Sequence, residues 1–207
     1  MIIHSFSKTY GDRTVLRFPE TEFEPGKIYA VVGANGSGKS TFARLAAGIE
    51  KPDGGRNPAP GIQVGYLPQK SYGFRMSVRK NLLLNGKDAS RADRLMQELG
   101  ILPLRTADAS RLSGGETARM ALCRLMMRSY DLVILDEPCA SMDIESTLLS
   151  EQSIRNYCRE TNCALIIITH SIQQARRLAD EILFFCRGES LPLTDPKYAE
   201  FLHFYGE

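Results

Sequence analysis

Gly33-Ala34-Asn35-Gly36-Ser37-Gly38-Lys39-Ser40-Thr41 decides the fold of this chain. An apolar run, Ile28-Tyr29-Ala30-Val31-Val32, precedes it, and a helix-like segment over residues 40–48 follows. Strand, glycine loop and helix together turn the G-x-x-x-x-G-K-[ST] pattern into a phosphate cradle. Without a Cβ in the way, backbone N–H groups at Asn35, Gly36, Ser37 and Gly38 crowd around an anion, and the helix aims its positive end at the same place. Lys39 then reaches the β- and γ-phosphates, Thr41 continues the helix start, and the Ser40 hydroxyl takes a position on Mg²⁺. The stretch predicts binding of a nucleoside triphosphate with its magnesium ion.

The rest of the chain sets bounds around that site. At 207 residues it fits one generous domain with a full core. It is 43% hydrophobic and 24% charged, an ordinary globular balance. A net charge of +2 lacks the clustered basic excess of a nucleic-acid binder, so no nucleic-acid partner is expected. No apolar run nears the roughly 18 residues a membrane span needs. The N-terminal residues 1–8 lack a signal-peptide layout and read as a first strand. The five cysteines contain no C-x-x-C pair and lie mostly in apolar surroundings, so reduced core thiols are expected.

Residues 1–32 read as short strands with turns at Tyr10-Gly11-Asp12 and Glu24-Pro25-Gly26, and residues 51–61 form a Pro/Gly-rich break. A strand over 62–67 ends at Pro68-Gln69. The pattern then turns helical over 78–99, with Asp88-Ala89-Ser90 as a cap region, and again over 115–128. Residues 132–135 and 164–168 are continuous apolar runs, the mark of parallel strands buried on both faces. Helices over 144–159 and 172–179 separate them from each other and from a strand over 182–185. The alternation predicts an α/β fold with ligands at the carboxyl ends of the strands.

Leu132-Val133-Ile134-Leu135-Asp136-Glu137 is a buried strand ending in two adjacent acids. Strand alternation sends the two side chains in opposite directions, so they can do different work. Asp136 is placed to hold the Mg²⁺ shell opposite Ser40, and Glu137 to polarise a water for attack on the γ-phosphate. Ser113, Gly114, Gly115 and Glu116 open another helix. A serine and two glycines there fit either a plain N-cap or a second anion site.

Taken in combination, these motifs resemble the nucleotide-binding subunit of an ABC transporter from Tyr10 to about Gly188. The resemblance implies a P-loop NTPase with a mostly parallel sheet core, an N-terminal antiparallel β subdomain and a small helical subdomain. The core covers 1–69 and 130–190, the helical part about 70–129, and a helical tail 191–207. Tyr10 matches the aromatic residue that stacks on adenine. Gln69 matches the Q-loop glutamine that touches Mg²⁺ and the attacking water. Residues 112–116 match the signature sequence, with Glu116 where glutamine is usual. Ser141-Met142-Asp143 matches the D-loop, with Cys139 and Met142 replacing the commoner threonine and leucine. His170 matches the switch histidine that contacts the γ-phosphate.

The resemblance also implies partners and place. Two copies pair head to tail, so that ATP on one Lys39 loop is covered by Ser113, Gly114 and Gly115 of the other. A separate transmembrane permease receives the motion at the inner face of the cell membrane, from a cytoplasmic subunit; Phe74 and Met76 are expected to stand partly exposed and dock a permease loop. Residues 169–180 with Phe184-Phe185 are similar to oxyanion importers of the phosphate or tungstate type. The competing reading is a soluble ABC ATPase acting on nucleic acid or ribosomes. The tail places Tyr198, Phe201, Leu202 and Tyr205 on one helical face, for packing onto the domain or onto a partner.

Overall fold

A computed structural model describes residues 1–205, Tyr205 by its backbone alone. The strands are β1 (Ile2–Ile3), β2 (Phe6–Tyr10), β3 (Arg13–Phe18), β4 (Thr21–Glu22), β5 (Ile28–Val32), β6 (Val64–Leu67), β7 (Leu132–Asp136), β8 (Ala164–Ile168), β9 (Glu181–Cys186) and β10 (Glu189–Leu191). The helices are α1 (Lys39–Ala46), α2 (Val78–Leu83), α3 (Ala89–Glu98), α4 (Gly114–Met126), α5 (Ile144–Thr161), α6 (Ile172–Leu178) and α7 (Pro196–Tyr205). Contacts divide the chain into two units: residues 1–66, 131–137 and 162–207 in one, and 67–130 and 138–161 in the other.

Eight strands form one mixed sheet in the order β2-β3-β10-β9-β5-β8-β7-β6, and β1 pairs with β4 in a small antiparallel ribbon. The pairs β9/β5, β5/β8, β8/β7 and β10/β3 are parallel, whereas β2/β3 and β9/β10 are antiparallel. Every residue of β5, β7 and β8 is buried, which is why residues 28–32, 132–135 and 164–168 are apolar runs rather than alternating ones; only Asp136, at the end of β7, is charged.

Register is what places the site. Val31 of β5 pairs with Ile168 of β8, and Ile168 pairs with Asp136 of β7. Three neighbouring strands therefore end level, and the residues just beyond them share one edge. The Thr169 N–H bonds to the Val31 carbonyl at 3.2 Å and the Glu137 N–H to the Ile168 carbonyl at 2.9 Å, extending the ladder to the motif residues themselves.

Helix α1 is held on this sheet by aromatic packing. Phe42 lies 4.6 Å from Phe18 and 5.4 Å from Phe185, ring centre to ring centre, and all three are buried. Removing such a ring costs about 3–5 kcal/mol, because the cavity left behind closes only in part. The tail helix α7 uses Tyr198 and Phe201, whose rings lie 5.2 and 5.3 Å from Phe184. The Tyr205 side chain of the expected face lies outside the described residues.

The second unit is helical. The pattern expected over 78–99 is two helices, α2 and α3, each opened by its own cap: Ser77 accepts from the Lys80 N–H and Asp88 from the Arg91 N–H. The break has a packing reason. Asn85 sits between the helices and donates to the Arg124 and Leu125 carbonyls at the end of α4, at 2.8 and 3.3 Å. Among the described residues no helix is long and apolar enough to cross a membrane.

Candidate functional site

In the first unit the phosphate loop runs from the end of β5 into α1. Gly38 is the N-cap of α1 with φ +104°, and no side chain bonds into this helix start. A Cβ on Gly38 would stand 3.0 Å from the Val15 carbonyl oxygen, so both conformation and space require glycine. The first N–H groups of α1 are left for an incoming anion. Asn35 and Gly36 form the exposed rim, while Ser37 is buried with its hydroxyl unpaired. The rim also borders a cavity of about 520 Å³ whose far wall includes Arg187, Phe201 and Phe204.

Lys39 is buried, and its ammonium donates to the Gly33 carbonyl at 2.6 Å and the Ala34 carbonyl at 2.9 Å. Burial pulls its pKa below the ordinary lysine value, against the opposite pull of Glu137 and Asp136. An ammonium held by neutral carbonyls in a desolvated pocket suits a polyphosphate, which would replace them with full negative charge.

The carboxylates converge on the same loop. Asp136 is 3% exposed and accepts from the Ser40 hydroxyl at 3.4 Å. Burial raises its pKa above the usual aspartate range. A buried, destabilised carboxylate beside a serine hydroxyl is a donor set that fits Mg²⁺. Glu137 follows with φ +50°, a left-handed conformation uncommon for a residue with a side chain. The turn re-aims its carboxylate, whose Oε2 lies 3.3 Å from Nδ1 of His170. Strands β7 and β8 thus bring together two residues 33 positions apart.

Two further residues touch residues singled out in the sequence without having been foreseen themselves. Tyr66 near the end of β6 hydrogen-bonds Asp136, and burial together with that carboxylate pushes its phenol up to about 12. Glu50, after α1, takes the Tyr10 hydroxyl. Neither carries a local signal, since each contact depends on which strand or loop is brought alongside. Thr41 sits in the first turn of α1, 3.4 Å from Arg44 Nη2.

In the second unit, Ser113 caps α4 in a complete capping box. The Glu116 N–H donates to Ser113 Oγ at 3.3 Å, while Glu116 Oε2 accepts from the Ser113 N–H and hydroxyl, both at 2.8 Å. These two donors hold the Glu116 carboxyl below its usual range. Gly114 and Gly115 form the first turn. Gly115 is pressed against the 138–143 turn: a Cβ there would stand 2.9 Å from the Ser141 carbonyl. Gln69 lies exposed just after β6 in this unit.

The second unit also carries an aromatic face. Phe74 is 43% exposed, Tyr72 beside it is exposed as well, and Met76 is half-buried. The guanidinium of Arg124 stacks 5.9 Å from the Tyr72 ring centre and 5.4 Å from that of Phe74. Asn81, fully buried, clasps the Phe74 backbone through its N–H and its carbonyl, at 2.9 and 3.1 Å. The outward rings are thus fixed from beneath.

Residues 17–140 match the family model described as ABC transporter. The chain is 36% identical over 201 residues to a tungstate uptake system ATP-binding protein of Peptoclostridium acidaminophilum, covering 90% of this chain and 94% of that protein. It is 32% identical to a zinc import ATP-binding protein of Agrobacterium fabrum, covering 94% of this chain and 68% of that one. Among solved structures, RNase-L inhibitor superposes with a TM-score of 0.85 at 27% identity; 99% of this chain is covered, but only 42% of that one. The buried lysine loop, the level strand ends and these likenesses lead to one conclusion: the chain belongs to the ABC transporter family, as an ATP-binding and ATP-hydrolysing subunit that powers transport across a membrane.

Proposed function

We propose that this subunit works as a head-to-tail pair, closing on Mg·ATP beneath a separate permease at the inner face of a cell membrane, in an importer of a tungstate-like oxyanion. The observation that supports it is the shared edge of β5, β8 and β7, which gathers Lys39, Asp136, Glu137 and His170. Lys39 leaves the Gly33 and Ala34 carbonyls for the β- and γ-phosphates, and the α1 N–H groups complete the cradle. The ring of Tyr10 stacks on adenine. Ser40 and Asp136 would hold Mg²⁺, which when bound neutralises phosphate charge. Glu137 accepts a proton as water attacks the γ-phosphorus and the bond to ADP breaks. His170 orients that carboxylate and contacts the γ-phosphate.

Ser113, Gly114 and Gly115 of the second copy cover the triphosphate from the other side. ATP then contributes charge to both helix starts, and loss of phosphate after hydrolysis removes the attraction and opens the pair. The oxyanion cargo is carried over from the tungstate relative, of which this chain covers 94%. A role on nucleic acid or ribosomes is the weaker reading, because most of the RNase-L inhibitor chain lies outside the likeness.

Glu137→Gln tests the mechanism. Light scattering in Mg·ATP should show a stable dimer, with turnover suppressed; a variant that stays monomeric at saturating nucleotide overturns the paired reading. The aromatic face tests the partner: Phe74→Asp should abolish co-purification with the permease while leaving the ATPase of the isolated chain intact. Retained assembly and transport would remove Phe74 from the docking surface.

A further inference from the structure

Tyr10 ends β2, and its hydroxyl donates to the carboxylate of Glu50. That carboxylate is a hub. Lys8 Nζ lies 3.1 Å from its Oε1, and Arg44 Nε donates to Oε2 at 3.2 Å. Lys8 Nζ also stands 5.2 Å from the Tyr10 ring centre and donates to the Lys51 carbonyl at 2.7 Å. One ring face is therefore taken by a cation, the edge is tied down, and the ring stays 46% exposed.

The hub is anchored to the helix that carries the phosphate loop. Arg44 belongs to the last turn of α1, five residues beyond Lys39, about 7.5 Å along the axis. The Ile49 and Glu50 N–H groups both bond to the Arg44 carbonyl, at 2.9 and 3.2 Å, so Glu50 is held by the end of the same helix. A second clasp fixes β2 itself: Asp53 accepts from the Ser7 hydroxyl and from the Thr9 N–H and hydroxyl, at 3.2, 3.3 and 3.0 Å.

We infer that Glu50 is the positioning residue of the nucleotide site, locking the Tyr10 ring at a fixed distance from the phosphate loop so that its one open face is preset for the base. The inference rests on the reading of Tyr10 as the adenine-stacking residue. A tyrosine at the end of a short hairpin otherwise samples several rotamers, and ordering it upon binding weakens affinity. The Glu50 carboxylate does that ordering beforehand, and the Lys8 ammonium closes the face the base does not use.

Calorimetry on the intact chain tests this with two probes, Mg·ATP and Mg·tripolyphosphate, which lacks the base. Tyr10→Phe and Glu50→Ala should each weaken Mg·ATP binding about fivefold, that is by about 1 kcal/mol. The double variant should be no weaker than either single, and tripolyphosphate affinity should not move. Glu50→Gln, which keeps an acceptor for the Tyr10 hydroxyl, should recover most of the loss. In turnover assays KM should rise with kcat unchanged. Equal weakening of both probes by Glu50→Ala would overturn the inference, making Glu50 a support of α1 only. So would wild-type ATP affinity in Tyr10→Phe and Glu50→Ala when Tyr10→Ala is weak. If Tyr10→Ala itself binds ATP normally, the base-stacking reading falls, and this inference with it.

Discussion

Two helices of this molecule begin with glycine and serine, and their first turns are built in opposite ways. Helix α1 starts at Gly38 in a left-handed conformation with no side chain bonded to its N–H groups. Helix α4 starts at Ser113, where a capping box fills the end of the helix with the protein's own carboxylate. The first end is an open anion site that relies on a ligand for its negative charge. The second is already satisfied, and any phosphate reaching it must compete with Glu116. Glycines at a helix start therefore do not by themselves say whether the site is vacant. What decides that is whether a side chain at the third helical position reaches back to the N-cap, as Glu116 does in α4.

The sharpest way to break this contrast is at Lys39. Lys39→Ala should weaken nucleotide binding and turnover by about 100- to 1000-fold, the scale of roughly 2.7–4 kcal/mol for one preorganised electrostatic contact. Ser113→Ala should leave ATP binding by the separate chain unchanged and lower only dimer formation. If calorimetry finds both variants equally weak as monomers, the two helix starts do not differ as described.

A smaller effect is expected from Gly38→Ala. The φ of +104° is strained for any side chain, and the added Cβ meets the Val15 carbonyl. A loss of about 1–3 kcal/mol follows, read as a melting temperature lower by about 2–4 °C for each kcal/mol. An unchanged melting point would mean that the loop relaxes freely.

The smallest change is at the capped end, and its pH dependence carries the sign. The Glu116 pKa is depressed by the Ser113 N–H and hydroxyl. Its stabilisation is therefore complete above the ordinary glutamate pKa and is lost as pH falls through the depressed value. Glu116→Ala should destabilise the chain by up to about 1 kcal/mol at neutral pH, and the difference from wild type should shrink in acid. Denaturant melts across that range check it. A difference that grows in acid would contradict the cap.

Several parts of the fold were legible in the residues because their signals are local. Apolar runs at 28–32, 132–135 and 164–168 are strands, and the glycine loop between a strand and a helix is where it was expected. Asp88 caps a second helix as read, but what holds the chain at the break before it was not legible, because Asn85 is occupied by the end of α4, some 40 residues away in sequence. The buried Asn81 and the stacked Arg124 beneath Phe74 were missed for the same reason: polar residues in a helical pattern look like a solvated face until a second helix covers them.

What the residues determined alone is the phosphate loop and the chemical inventory, since strand, glycine turn and helix follow from neighbours in sequence. Tertiary structure decided which of those groups meet. Parallel pairing set Val31, Asp136 and Ile168 level, and only that register puts the Glu137 carboxylate 3.3 Å from His170 and Ser40 beside Asp136. Strand register and the clasp of Glu50 on Tyr10 arise from burying apolar faces far apart in sequence, a condition that no short stretch of residues records.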